Sequence, residues 1–124
     1  MSKIESFKDL IVYQKAYMLA MEIFELSCSF PKEEKYSLTD QIRRSSRSVA
    51  ANLAETWAKR RYEKTFLSKL SDSFGEEQET EVWLDYSKDC GYIQKDTHEK
   101  IINEYLEVRK ILISMMNNPD KWCL

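Results

Sequence analysis

Three features of the sequence predict an all-α fold, an antiparallel up-and-down four-helix bundle. Only two glycines and two prolines occur in 124 residues, too few for the tight reversals that a β-sandwich or barrel needs. Apolar residues recur at three- and four-residue spacing through most of the chain, the period of a helix with one buried face. Start and stop signals then divide the chain into four helical segments, residues 7–29, 37–58, 62–89 and 96–116. With 43% hydrophobic residues, a chain of this length buries one core, so residues 1–124 are expected to form a single domain.

The first helix is bounded by Ser6, with Asp9 three residues on, and by Pro31. Leu10, Tyr13, Ala16, Tyr17, Ala20, Ile23, Phe24 and Ser27 form its core stripe. A second row, Val12, Leu19 and Leu26, runs beside it with Ile11, Met18 and Met21 nearby, a wider apolar arc than one bundle seam requires. Either a bulky internal neighbour or another copy of the chain must cover the excess.

The second helix opens on Ser37-x-x-Asp40, a capping-box pattern. Leu38, Ile42, Ser45, Ser46, Val49, Leu53 and Trp57 share one side at about 100° per residue. Arg43, Arg44 and Arg47 share the other with Ala51, Ala54 and Ala58. Small residues admit a close helix, and arginines fork onto carboxylates or phosphates.

Neither glycine nor proline separates the second helix from the third, and one unbroken rod would be out of scale for a small domain. The break is placed at Arg60–Tyr62. The third helix ends at Cys90-Gly91, where glycine can take the left-handed conformation. Its apolar face turns midway, from Phe66, Leu67, Leu70 and Phe74 to Val82, Trp83, Tyr86 and Cys90, which implies two buried surfaces or a bend at Gly75. The fourth helix starts at Asp96, paired with Glu99, and stops before Asn117-Asn118-Pro119. Its stripe is Ile101, Ile102, Tyr105, Val108, Leu112, Met115 and Met116, with Leu106 and Ile113 left over; Trp122 in the tail is expected to pack back on the bundle or on a neighbour.

Known chemistries find few residues to use. His98 is the lone histidine and is expected to be exposed in the first turn of its helix, so a Ser–His or Cys–His scheme has little to build on. The Glu-x-x-His pairs of a di-metal bundle are missing, and Gly75 and Gly91 cannot make a phosphate-binding loop. Cys28, Cys90 and Cys123 are an odd set with no Cys-x-x-Cys spacing, which argues for inert thiols. No catalytic, cofactor or metal site is therefore expected. The stretch Leu10–Leu26 is interrupted by Gln14, Lys15, Glu22 and Glu25, and the start Met1-Ser2-Lys3-Ile4-Glu5 lacks the basic region of a leader. No membrane association is expected, and a cytoplasmic location is.

Charge, although near balance at -2 overall, is segregated along the chain. Arg43, Arg44, Arg47, Lys59, Arg60 and Arg61 face a single acid, Glu55, in their stretch. Asp72, Glu76, Glu77, Glu79, Glu81 and Asp85 form a stretch with no base. Two readings follow. The acidic third helix can lie against the basic second helix, within the subunit or across an interface between copies, with Glu77, Glu81, Arg43 and Arg47 as candidate ion-pair residues. Alternatively the six basic residues stay exposed and hold the phosphate backbone of RNA or DNA, with Arg60-Arg61 the freest of them.

Phe7-Lys8-Asp9-Leu10-Ile11-Val12-Tyr13-Gln14-Lys15-Ala16, Phe30-Pro31-Lys32-Glu33-Glu34 and Gln41-Ile42-Arg43-Arg44-Ser45-Ser46-Arg47-Ser48-Val49-Ala50-Ala51-Asn52-Leu53-Ala54-Glu55 together resemble the bacterial four-helix bundle family of 23S ribosomal RNA intervening-sequence proteins. Glu79-Thr80-Glu81-Val82-Trp83-Leu84-Asp85-Tyr86 and Cys90-Gly91-Tyr92-Ile93 resemble one branch of it. The resemblance implies an antiparallel four-helix protomer in a cyclic homo-oligomer, commonly a pentamer. It also implies kinship with the accessory protein of diversity-generating retroelements, which holds nucleic acid on a basic surface. Thr56 stands where the family usually has glycine. A non-enzymatic scaffold or adaptor is the function expected; the alternative is a self-assembling module whose partner is a protein client.

Overall fold

The structure, a computed structural model, describes residues 3–124; Met1 and Ser2, part of the start read above for a leader, lie outside it. Its first turn shows how capping chemistry decides where a helix begins. Ser6 accepts the Lys8 N–H on its hydroxyl, and the Asp9 carboxylate accepts the Ser6 N–H, so the expected capping box forms. It closes only a short 3-10 turn, Phe7–Asp9, because Leu10 is extended and buries its side chain. Helix α1, Ile11–Ser27, starts after it. The single helix expected over 7–29 is thus a capped turn followed by a shorter helix.

A second 3-10 turn, Lys32–Glu34, leads to α2, Leu38–Ala58. The Ser37 hydroxyl donates to Glu34 and caps nothing, so the Ser37/Asp40 box does not form. Residues 59–62 separate α2 from α3, Glu63–Asp89, at the expected break. The Arg60 guanidinium lies 3.4 Å over the Trp57 ring, and the Leu124 N–H donates to the Arg60 carbonyl, so the junction is pinned from both sides. Gly91, at φ 81°, turns the chain out of α3, and the Tyr92 N–H returns to the Ser87 carbonyl. Helix α4, Lys95–Asn117, has no side-chain cap, so Asp96 and Glu99 do not close its start. Helix α5, Pro119–Trp122, folds Trp122 onto the core as expected.

Each long helix packs on its neighbours in sequence and α4 closes on α1, giving the up-and-down bundle. Among the described residues there is no strand. The seam of α4, His98, Ile101, Tyr105, Val108, Leu112 and Met115, follows the expected stripe. That of α3 does not. Phe66, Leu70, Ser73, Glu77, Thr80, Leu84 and Ser87 form one continuous buried row through the helix, with alternating four- and three-residue spacing. The apparent change of face arises because polar residues occupy the middle of this row, whereas Val82 and Tyr86 are exposed. In α1, Val12 and Leu19 enter the core beside Ala16, Ala20 and Ile23, while Tyr17 turns out with Ile11, Met18 and Met21. The buried arc is therefore centred on the small residues, which let neighbouring helices approach. Thr56 is buried within α2 and donates its hydroxyl to the Asn52 carbonyl, and the helix continues through it to Ala58.

Candidate nucleic-acid interface

Helix geometry splits the six basic residues into two groups. Arg43, Arg44 and Arg47 lie in the first half of α2, and Lys59, Arg60 and Arg61 follow its end, roughly 20 Å away at 1.5 Å per residue. In the first group, Arg43 and Arg47 are separated by about one turn and look toward α1, whereas Arg44 is rotated by about 100° toward α3. Arg44 meets Glu76 at 3.3 Å and also pairs with Glu79. Glu79 in addition accepts the indole N–H of Trp83 at 3.1 Å. This bridge realises the charge complementarity read from sequence, with a different set of residues.

Arg43 and Arg47 instead share the ring of Phe24. Their guanidinium carbons lie 4.7 and 5.6 Å from its centroid, a cation–π arrangement that fixes the plane of each group without neutralising it. Arg43 also donates Nε–H to the Ser27 hydroxyl at 2.8 Å. Among the described residues, neither arginine has a carboxylate within salt-bridge distance. They line a surface hollow of about 590 Å³ with Lys35, Tyr36, Thr39, Asp40, Arg44 and Ser48.

At the other end, Lys59 and Arg61 are exposed. Arg60 is stacked on Trp57 and donates Nε–H to the Trp57 carbonyl at 2.9 Å; like Arg43 and Arg47 it has no carboxylate within salt-bridge distance among the described residues.

The expected pairing of Glu77 and Glu81 with Arg43 and Arg47 is not made within the chain. Glu77 belongs to the inner seam of α3, on the side of α4, whereas both arginines lie on the far side of α2. Gln78 donates to Glu77 at 2.7 Å and to Glu81 at 3.3 Å, and Arg109 of α4 stands 3.7 Å from Glu81. Burial pushes the Glu77 carboxyl up to about 8; the Glu81 carboxyl adds to this, and Gln78 and Arg109 oppose it. The Tyr105 phenol is also raised, first by burial and then by the charge of Glu77. Arg109 went unrecognised as a partner of Glu81 because only the apolar members of the α4 stripe carry a periodic signal. Lys35 and Tyr36 were missed because a two-residue stretch in a turn has no period at all.

His98 is buried, with Nε2 2.7 Å from the Asp85 carboxylate. Its expected exposure fails for a plain reason: it sits three residues before Ile101, on the same seam. Among the described residues no group of three His, Cys, Asp or Glu side chains is placed to hold a metal, and the three cysteines are unpaired. No helix among them is long and apolar enough to cross a membrane.

The model of the 23S rRNA-intervening sequence protein family matches residues 8–114. The chain belongs to that family. A solved relative is a protein of unknown function from the S23 ribosomal protein family of Bacteroides thetaiotaomicron, determined at 1.70 Å resolution. It is 30% identical, with a TM-score of 0.77 over 86% of this chain and 96% of that chain. No curated protein matches the sequence. The family match covers the first three long helices and most of α4, and with them the Phe24, Arg43 and Arg47 cluster.

Proposed function

We propose that the protein is a non-enzymatic, self-associating helical scaffold that holds RNA or DNA by its phosphate backbone. The observation that carries this is the pair Arg43 and Arg47, ordered on Phe24 with no carboxylate partner beside an Arg44 that has two. Guanidinium groups fixed in plane but not neutralised are suited to the oxygens of a phosphate. Lys59 and Arg61 extend the basic surface past the end of α2, and Arg60 supports it through Trp57.

Binding is tested by titrating a labelled RNA at several salt concentrations. Affinity is expected to fall as salt rises, and the double change Arg43→Gln with Arg47→Gln to flatten that dependence by about one unit of slope for each phosphate no longer neutralised. Absence of binding at low salt refutes the reading.

Self-association is supported by the exposed row on α1. Ile11 and Met18, seven residues apart, are 64% and 71% exposed, with Tyr17 and Met21 beside them, surface that copies of the chain would cover. The assembly proposed is a cyclic homo-oligomer in the cytoplasm, with five subunits the number that the family resemblance implies. Ile11→Lys with Met18→Lys is expected to leave a folded 14.8 kDa species in sedimentation, where the wild type is larger. A wild type that sediments as a monomer rejects self-association.

The Arg44–Glu76–Glu79 bridge favours a second reading, a self-assembling module for a protein client whose charges serve its own packing. Under that reading no nucleic acid binds at any salt concentration.

A further inference from the structure

Tyr36 is 84% exposed on the turn between the second 3-10 turn and α2, with Lys35 over its ring at 5.3 Å. A ring left so open contributes little to the fold. It lies, however, between two adjoining hollows and lines both of them. On one side is the basic hollow of about 590 Å³ with Lys35, Arg43 and Arg47. On the other is a hollow of about 450 Å³ lined by Leu38, Gln41, Trp83, Tyr86 and Cys90. Trp83 and Tyr86 stand 5.8 Å apart, with ring planes 32° from parallel, and Tyr86 is itself half exposed. The Trp83 ring is held in place by its N–H bond to Glu79, which Arg44 anchors in turn.

We propose that these two hollows form one site for a single-stranded nucleic-acid segment, in which an unstacked base rests among Tyr36, Trp83 and Tyr86 and its phosphate lies against Lys35, Arg43 and Arg47. The inference rests on the nucleic-acid reading above and specifies its ligand. An aromatic hollow next to fixed cations is the pairing by which single strands are held, since bases offer flat apolar faces and phosphates offer charge. A duplex keeps its bases stacked on one another and cannot fill the aromatic side. Both hollows fall in the size range of small-ligand sites.

Two acids border the site. Glu34 lines the aromatic hollow, but its carboxylate is engaged by the hydroxyls of Ser37 at 2.7 Å and Tyr92 at 2.8 Å. Asp40 lines the basic hollow, where it faces four cations, one of them the already paired Arg44. The balance of the phosphate side is positive.

The test compares a labelled 12-nucleotide single-stranded RNA, the same sequence as DNA, and the RNA duplex, by fluorescence anisotropy at low salt. Tyr36→Ala is expected to weaken single-strand binding about tenfold, within the range measured for loss of one base–aromatic stack. It is expected to leave duplex binding unchanged. Tyr36→Phe, which keeps the ring, retains wild-type affinity. Arg47→Gln weakens binding to both forms and lowers the salt dependence for the single strand by about 0.7 of a unit. Equal losses on the RNA and DNA single strands show that base and phosphate are read without the 2′-hydroxyl; a larger loss on RNA shows that the sugar also touches the site. Should the wild type bind RNA while Tyr36→Ala changes nothing, the site is refuted and the general phosphate reading survives. If Tyr36→Ala alters sedimentation and not RNA affinity, the hollows are a contact between copies of the chain and the proposal fails. Failure of the wild type to bind any of the three overturns both readings together.

Discussion

Replacing Glu77 by glutamine should make the protein more stable, and more so the higher the pH. Glu77 is fully buried in the α3 seam, with one carboxylate oxygen bonded by Gln78 and the other without a partner. Burial, and then the neighbouring Glu81, hold its proton until about pH 8, against an ordinary value near 4.5. Between those two pH values the folded chain binds a proton that the unfolded chain has lost. The contribution of Glu77 to stability is therefore fully present below about 4.5, falls as pH rises through the interval, and is lost above 8. At about 1.4 kcal/mol per pH unit the full interval is worth roughly 5 kcal/mol. Glutamine keeps the shape and stays neutral, so its advantage is under about 1 kcal/mol near pH 5 and reaches up to roughly 5 kcal/mol at pH 8.5. For a chain of this length about 1 kcal/mol moves the midpoint by roughly 4 °C. Melts followed by circular dichroism at pH 5, 6.5 and 8.5 should thus show Glu77→Gln within about 4 °C of the wild type at first and up to roughly 20 °C above it at the end. Groups that titrate in both proteins cancel in the difference. A difference that is flat with pH, or a variant less stable throughout, refutes the account of Glu77 as a buried acid held neutral by its surroundings.

Gly91→Ala tests the turn after α3: the added Cβ meets no atom within 4 Å, so only the left-handed φ of 81° opposes it. A loss of about 1 kcal/mol, or roughly 4 °C, is expected in the same melts, and a loss several times larger contradicts the open geometry. Ser73→Ala removes a buried hydroxyl that donates to the Val49 carbonyl at 2.9 Å and is expected to cost about 1 kcal/mol in urea unfolding with an unchanged slope. Unchanged stability would show that this bond between α2 and α3 contributes nothing.

Much of the architecture was legible because it depends on period and punctuation. The α2 face from Leu38 to Leu53, the break before α3, the Gly91 turn and the α4 stripe all follow from residue spacing. The α3 seam was not legible, since Ser73, Glu77, Thr80 and Ser87 look like surface residues until a partner helix is placed on them. Capping patterns were an uncertain guide for a related reason. Ser6 and Asp9 bond each other, but Ser37 finds the nearer acceptor in Glu34, a residue of the preceding turn. At the candidate site, the charge blocks stand in the sequence, yet pairing is decided by rotation about the helix axis. Arg44 differs from Arg43 by one position and about 100°, enough to give it Glu76 and Glu79 where its neighbour has Phe24.

That rotation depends on how closely α2 and α3 approach. The Ser73 hydroxyl reaches a main-chain carbonyl of α2, and Thr80 donates to Ser45 at 2.9 Å, contacts that only short side chains on closely packed helices make. With Ser45 and Val49 turned against α3, Arg44 is rotated to the side that faces the acids of α3, and Arg43 and Arg47 to the side that faces α1. On the first side Arg44 is neutralised; on the second, α1 offers an aromatic ring and a hydroxyl. Larger residues at 45, 73 or 80 would spread the pair, and Glu76 and Glu79 would no longer bracket Arg44. The serines and threonine of the seam therefore determine which arginines have carboxylate partners and which stay available for a ligand.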